Sequence, residues 1–566
     1  MNQERYFHSV RLETDKCKGC TNCLKRCPTE AIRIRNNRAT ILRESCIDCG
    51  ECIRVCPNHA KVAVTDPISV INRYQYRIAL PAPALYVQFP QVHHSEKIIA
   101  SLYKLGFDEV FEVARAAEVI SYAISRTLIN EDRPRPVISS ACPAVLRLIQ
   151  QKYPSLLDNV IDIVSPMEAA ARIAKEEAAK ITGLPLEKIG AFFISPCAAK
   201  LSDVRNPIGF ERSAVDGVIA IKDLYTQIQS HVKDGFTPLE IERASTVGVR
   251  WAVPSGEADA VGVRHFLCVD GIDNVKHALE QIEDSRFDRL DYVELLACNN
   301  GCLGGPLTVE NGYVAKSRMH AILRHTPDKM VQKTEIFNNA HERFRMTKEI
   351  EANEAQQLKG TMMERILKAA RIEEIESGLP GLDCGSCGSP TCHALAMDIV
   401  GGHASEMNCI FKLNERISAL AGEMVSLGAS TRFAVGANRQ DGAGGQKEDS
   451  PMHVSDFVKL AGGKVLTGEY EDREIVCGYT CDLLSHVMGK GQADMAWITV
   501  QAHMNVIAVA ALLDFACVII PESLPVDETI VRKAASEDII IVSCEQTAFE
   551  LVGLLADNGV PSAKKG

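Results

Sequence analysis

The 566-residue sequence lacks an excess of positive charge. Acidic residues outnumber basic ones, and the formal net charge is −11. That balance argues against a nucleic-acid-binding surface and against docking on an anionic membrane. A long apolar run is also missing. The most apolar stretch, Val506 to Ile520, carries Asp514 and is too short to span a bilayer. The opening Met-Asn-Gln-Glu-Arg-Tyr-Phe-His has no apolar segment of the secretory kind. Phosphate-binding glycine loops are absent as well. Gly462-Gly463-Lys464 and Gly489-Lys490-Gly491 have neither the spacing nor the Ser/Thr such loops require. These absences predict a cytoplasmic location with no membrane or nucleic-acid partner. A chain of this length predicts several domains.

What the sequence has is cysteine, 21 residues of it. In a reducing compartment thiolates go to metals rather than disulfides, which suits an anaerobic lifestyle. Two nearly identical runs open the chain: Cys17-x2-Cys20-x2-Cys23-x3-Cys27-Pro28 and Cys46-x2-Cys49-x2-Cys52-x3-Cys56-Pro57. Three cysteines of one tight loop reach three corners of a cubane, and the fourth corner comes from elsewhere. This is the two-cluster bacterial ferredoxin pattern. It predicts one 4Fe-4S cluster on Cys17, Cys20, Cys23 and Cys56, and a second on Cys46, Cys49, Cys52 and Cys27. A zinc knuckle would not use two such repeats.

From Ile78 onward, short apolar runs alternate with helical patterns, notably Met167–Thr182. Strand candidates lie near Ile78, Val137, Ala191–Ile194, Val215–Ile219 and Tyr292–Leu296. Alternation of this kind predicts α/β layers with parallel sheets, whose ligands sit at the carboxyl ends of strands. Three cysteine loops occupy such ends: Ser139-Ser140-Ala141-Cys142-Pro143, Ser195-Pro196-Cys197-Ala198-Ala199-Lys200, and Ala297-Cys298-Asn299-Asn300-Gly301-Cys302-Leu303-Gly304-Gly305-Pro306.

In order and spacing, and with the ferredoxin-type prefix, residues 1–320 resemble the FeFe hydrogenases. The turn Gly106-Phe107-Asp108-Glu109-Val110 and the stretch Ser213–Val218 resemble further family segments. The resemblance implies an H-cluster: a 4Fe-4S cubane joined to a di-iron unit carrying CO, cyanide and a bridging dithiolate amine. Carried over by motif position, Cys142, Cys197, Cys298 and Cys302 hold the cubane, and Cys302 bridges to the di-iron unit. Lys200 binds a cyanide ligand, a role that suits a compact ammonium with three donors.

The departures from the family pattern carry information. The family's proton-relay cysteine, just before the first ligand, is Ala141 here. The family's acidic relay helix reads Glu118-Val-Ile-Ser-Tyr-Ala-Ile-Ser-Arg, with no further acid until Glu131. Ser195 replaces a family Met, and Asp203 stands near the place of a family Glu. These losses resemble the sensory branch of the family. They predict slow H2 conversion, because fast turnover needs a relay of matched proton carriers.

Residues 335–380 read as a long charged connecting helix. A third metal motif follows, Cys384-x2-Cys387-x4-Cys392-x16-Cys409. It resembles a small four-Cys 4Fe-4S domain, although zinc accepts the same donors. His393 reads as a structural neighbour rather than a ligand. Residues 434–451 are the clearest linker. Beyond it, strands near Glu474–Gly478, Met495–Val500, Ala516–Ile520 and Ile539–Val542 predict a small parallel α/β domain resembling the DRTGG type. The naming motif is replaced by Gln501-Ala502-His503-Met504-Asn505. Of the remaining cysteines, Cys268, Cys517 and Cys544 read as core, and Cys477 and Cys481 as structural rather than a redox pair.

The domain reading is therefore a ferredoxin-like segment at 1–75, an α/β hydrogenase segment at 76–333 and a connecting helix with a four-Cys domain at 334–430. A linker at 431–451 and a regulatory α/β domain at 452–566 follow. The functional expectation is a sensory FeFe hydrogenase of low turnover with an H-cluster and three further 4Fe-4S clusters. It would exchange electrons with a redox partner such as ferredoxin and report to a signalling kinase or phosphatase. A homodimer is compatible with the pattern. The alternatives are a conventional ferredoxin-linked hydrogenase and an iron–sulfur assembly protein without the di-iron unit.

Overall fold

The computed structural model describes residues 7–90, 92–232, 242–287, 289–328, 334–353, 358–420 and 451–563. The chain divides into two compact units, Met1–Thr431 and Arg432–Gly566. The segments read above as ferredoxin-like (1–75), hydrogenase-like (76–333) and four-Cys (334–430) all lie in the first.

At the N-terminus, Val10–Leu12 pairs antiparallel with Lys61–Ala63, so the first and last strands of the ferredoxin segment close on each other. Between them, Ile32–Arg35 and Arg38–Ile41 form a hairpin. Its two-residue turn is Asn36-Asn37, both at positive φ (50° and 55°). Asn tolerates that region, and the turn's twist matches that of the strands.

The middle of the first unit contains two parallel sheets. In one, β1 (Tyr76–Pro81), β2 (Glu109–Val110), β4 (Ile189–Ser195) and β5 (Gly217–Ala220) run in the order β2-β1-β4-β5. In the other, β3 (Val137–Ile138), β6 (Phe266–Asp270) and β7 (Tyr292–Leu296) run β6-β7-β3. Strand β4 is buried along its whole length. Alternation explains this: Ile78, Leu80 and Phe193 enter one apolar cluster, and Ala79, Phe192 and Ile194 the cluster on the opposite face. The helix Pro166–Thr182 has Pro at its first position and ends at Gly183 in the left-handed region, which is why it starts and stops there.

Two features differ from the sequence reading. Residues 335–380 are not one long helix. Ala340–Arg343 is a single turn, and Phe344 after it is fully buried. A new helix, Met362–Gly378, starts only at Thr361, whose hydroxyl and Glu364 form a capping box. Charge periodicity alone does not register a buried aromatic or a cap. The second difference is in the C-terminal unit. Its sheet contains β8 (Lys464–Val465), β9 (Cys477–Thr480), β10 (Met495–Ile498), β11 (Cys517–Ile520) and β12 (Ile540–Ser543), in the order β8-β12-β11-β10-β9. Four strands are parallel, but β8 runs antiparallel to β12. The sheet is therefore mixed rather than purely parallel. The predicted linker falls almost wholly outside the described residues. Among the described residues, no helix is long and apolar enough to cross a membrane.

Candidate metal centre

The three cysteine loops leave the carboxyl ends of three strands, drawn from both sheets. After β3, Cys142 is the N-cap of Pro143–Lys152, with Pro143 fixing the first helical φ. After β4, the Ser195 hydroxyl accepts from the Cys197 N–H and donates to the Cys197 carbonyl, both at 3.0 Å. A Met at 195 could do neither, so the serine braces its loop. After β7, Asn300 and Gly301 both take positive φ (63° and 62°) and turn the chain so that Cys302 follows Cys298 back toward one point. A side chain on Gly305 would sit 2.2 Å from the Pro196 carbonyl oxygen, so glycine is what lets the third loop close on the second.

The result is one cavity of about 120 Å³, lined by Cys142, Cys197, Cys298, Cys302, Lys200 and Ala141 among mostly apolar neighbours. Burial first, and then their neighbours, push the Cys302 thiol up to about 12 and raise Cys197 as well. Cys298 is raised by burial and opposed by Arg54. Thiols crowded this way cannot all ionise without a bound cation. The donor set therefore fits an iron–sulfur cluster. The Lys200 ammonium donates to the Ala141 carbonyl (3.2 Å) and lies at the cavity wall.

A candidate missed by sequence reasoning stands at the same cavity. Glu257 lines it, 2% exposed. Its carboxyl accepts from the Ser139 hydroxyl (2.7 and 2.9 Å) and the Tyr292 hydroxyl (2.6 Å). Burial raises its pKa, against those two hydrogen bonds and the charge of Lys200. Behind it, Glu294 is fully buried and raised by burial and then by Glu257, while the N–H groups of Ala258 and Ser255 oppose the rise. Next to Glu294, Cys268 is pushed up to about 12 by burial and by that carboxyl. Cys268 is thus half-buried beside an acid rather than plain core. One signal was available: Glu294 is the single charge in the apolar run Tyr292–Leu296. By contrast, Glu118 turns away to the Ser245 N–H (2.6 Å) and Ser121 to the Trp251 indole (2.9 Å). Neither they nor Asp203 lines the cavity.

The ferredoxin segment packs directly on this centre. Arg54 donates to the Gly304 carbonyl (2.9 Å), and a side chain on Gly50 would meet Pro306 at 2.5 Å. The structure places Cys56 with the first run: burial raises the Cys23 thiol, Lys61 lowers it, and Cys20, Cys56 and Cys17 raise it further. It places Cys27 with the second run, where burial, Cys52 and then Cys27 raise Cys49. Asp48 sits beneath Cys46 and takes hydrogen bonds from His8, Val10 and Ser202. Burial raises its carboxyl, but those partners outweigh it and the net shift is downward.

In the four-Cys segment, Cys387 is raised by burial and then, against the Ser389 N–H, by Cys384 and Cys409; Cys392 shares the apolar cluster of Cys387 and Cys409. His393 faces Glu376 (2.6 Å). Among the remaining cysteines, Cys517 and Cys544 are buried in the C-terminal core, and Cys477 accepts from the Gln492 amide (2.7 Å).

Comparison with known proteins gives the following. Residues 75–247 and 240–306 match the family described as iron only hydrogenase large subunit, C-terminal domain. Residues 9–57 match the 4Fe-4S dicluster domain, and 379–411 an Fe-S cluster family. Iron hydrogenase 1 of Clostridium pasteurianum is 23% identical over 257 residues, covering 37% of this chain and 44% of that protein. The Cytosolic Fe-S cluster assembly factor NAR1 homolog of Schizosaccharomyces japonicus is 32% identical over 94 residues, covering 16% of this chain and 18% of that protein. A solved variant of the FeFe-hydrogenase HydA1 from Chlamydomonas reinhardtii aligns with a TM-score of 0.41 and 16% identity, over 49% of this chain and 94% of that one. The chain spans about half the length, or less, of the curated hydrogenases it matches.

Proposed function

We propose that this iron-only-hydrogenase-like chain is a sensory hydrogenase that converts H2 slowly and passes its redox state to a regulatory output. The observation that carries the reading is the convergence of Cys142, Cys197, Cys298, Cys302 and Lys200 on one apolar cavity beside a buried acid. When bound there, the joined cubane and di-iron unit supplies the metal chemistry of H2 cleavage and formation. The residues supply everything else. The thiolates of Cys142, Cys197, Cys298 and Cys302 would hold the group. Lys200 places a positive charge at the wall. The apolar lining excludes water.

Ala141 has no proton to exchange, so the short thiol route is missing. Glu257 offers another. Its carboxyl faces the cavity, is held by Ser139 and Tyr292, and has a raised pKa that keeps a proton within reach near neutrality. Glu294 and Cys268 continue from it toward half-buried surface. A route through buried acids supports low turnover rather than none.

Cysteine sets in the ferredoxin and four-Cys segments would hold three further 4Fe-4S clusters for electron exchange with a partner such as ferredoxin. The C-terminal unit would report to a kinase or phosphatase. Infrared spectroscopy after loading with the di-iron unit tests the reading. CO and cyanide bands together with slow gas evolution support it. Bands with turnover equal to that of a conventional ferredoxin-linked hydrogenase refute the sensory part. The stretch similar to an assembly factor favours a second reading, an iron–sulfur assembly protein, in which cubanes load and no CO or cyanide bands ever appear.

A further inference from the structure

Arg54 belongs to the ferredoxin segment, yet its side chain ends at the third cavity loop. It closes the short helix Glu51–Arg54, which starts after Gly50. Gly50 takes a positive φ of 76° and packs against Pro306, so this helix lies directly on the loop that carries Cys298 and Cys302. From there the guanidinium fork is divided among three partners. Nη1 donates to the Gly304 carbonyl at 2.9 Å. Nε donates to Glu51 Oε2 at 3.1 Å, and Nη2 bonds the same oxygen. The fork also donates to the Cys298 sulfur. Burial is the largest influence on Cys298, and the charge of Arg54 is the next.

Arg54 stands between two cysteine sets, and it does not treat them equally. Its charge also reaches Cys49 of the second run, but there it ranks behind burial, Cys52, Cys27 and the Glu51 N–H. The asymmetry matters for electrons. A cubane that accepts an electron gains one negative charge. A cation hydrogen-bonded to a ligand sulfur favours that reduced form, and more so away from water. Glu51, 6% exposed, works the other way: its carboxylate acts on Cys298 with the opposite sign and less strongly than Arg54.

We propose that Arg54 is a positioning residue that holds an electron on the cavity cubane, its guanidinium favouring the reduced state there over the reduced state of the second-run cubane. The step is a one-electron transfer. The second-run cubane is oxidised by one electron and the cavity cubane is reduced by one. No bond forms or breaks, and Arg54 keeps its protons. The inference rests on the proposed function only in placing a cubane on Cys142, Cys197, Cys298 and Cys302. It needs neither the di-iron unit nor the sensory role.

Electron paramagnetic resonance during a potentiometric titration of the iron-reconstituted full chain tests it. The component removed by Cys298→Ala is the cavity cubane, and the one removed by Cys49→Ala is the second-run cubane. Arg54→Gln keeps a donor for the Gly304 carbonyl but loses the charge. It is expected to lower the reduced-to-oxidised ratio of the cavity component by about tenfold at a fixed potential, which is about 59 mV for one electron. The second-run component is expected to shift less. Arg54→Lys keeps a charge without the fork and is expected to recover part of the shift. Glu51→Gln is expected to move the cavity component the opposite way, which a merely loosened interface would not do. Should Arg54→Gln lose iron, the sign of the Glu51→Gln shift decides. A cavity component that Arg54→Gln leaves in place, that Glu51→Gln moves in the same direction, or that shifts less than the second-run component overturns the proposal. If Cys298→Ala removes no component, the proposal falls together with the cubane reading, so the two failures are distinct.

Discussion

Removing the Asp398 carboxylate should undock the four-Cys segment from the ferredoxin segment. Its Oδ2 accepts from Arg33 Nε (2.6 Å), Arg35 Nη2 (2.8 Å) and the Ser389 hydroxyl (2.9 Å). Arg33 is 8% exposed and Asp398 9%, so that pair is truly buried. Arg35 is more open, with its side chain 27% exposed. Asp398→Ala leaves Arg33 buried opposite nothing, which costs about 3–5 kcal/mol. The Arg35 share, screened by solvent, adds less than about 1 kcal/mol. Arg33 keeps its bonds to the Glu30 and Ile32 carbonyls, which places the total near the lower end, about 3–4 kcal/mol. At roughly 1.4 kcal/mol per factor of ten, local opening should rise about 100- to 1,000-fold.

Hydrogen exchange on the cluster-loaded full chain reads this directly. The Ile34 N–H donates to the Gly388 carbonyl (2.8 Å) across the same interface, so its protection reports docking. Peptides covering Ile34 and Gly388 should exchange faster in Asp398→Ala, while β4 does not change. Asp398→Asn, which keeps an acceptor, should lie between. The pair Arg33→Met with Asp398→Leu should recover most of the protection, because two apolar groups replace the ion pair. Acceleration below tenfold in Asp398→Ala, or equal acceleration in β4, would refute the reasoning.

Three further outcomes are expected. Glu257→Gln keeps the shape but cannot carry the proton, so H2 turnover should fall by about 10²- to 10⁴-fold with infrared bands unchanged. Ala141→Cys restores an exchangeable proton at the cavity wall and should raise turnover by about tenfold or more, measured by gas evolution. Glu294 has a folded pKa above its ordinary 4.5, raised by burial first. The native chain then holds a proton the unfolded chain releases. That contribution is complete below the ordinary value and is lost as pH rises through the raised one, at up to about 1.4 kcal/mol per pH unit. Glu294→Gln should flatten the decline of stability across that window in chemical unfolding of the cluster-free chain.

How legible the site was in the sequence depended on how its parts are encoded. The two ferredoxin runs and the Cys384–Cys409 set are local spacings, and the loops around Cys142, Cys197 and Cys298 follow strands that buried apolar runs announce. Parallel sheets and their ligand-bearing ends were therefore readable. The break at Phe344 and the cap at Thr361 were not, because a charged pattern hides one buried aromatic. Nor was the pairing of Ser139 with Glu257, 118 positions apart. Such an acid differs from a surface glutamate only once β7 and β3 lie side by side, with Tyr292 opposite Val137.

That long-range pairing changes what Ala141 means. Read along the chain, the missing thiol looks like a severed proton path. In the folded protein the same loop delivers Ser139 to Glu257, so the loop that lost one proton donor holds a different one in place. The consequence is a matter of rate. A buried carboxyl whose protonated form is favoured by desolvation gives up its proton reluctantly, and the second acid behind it, raised by burial and then by Glu257, holds its own proton too. Slow exchange is what the proposed sensory role requires. Glu257→Gln and Ala141→Cys should therefore move turnover in opposite directions, and a chain in which neither substitution changes the rate would have its slow step somewhere other than the proton.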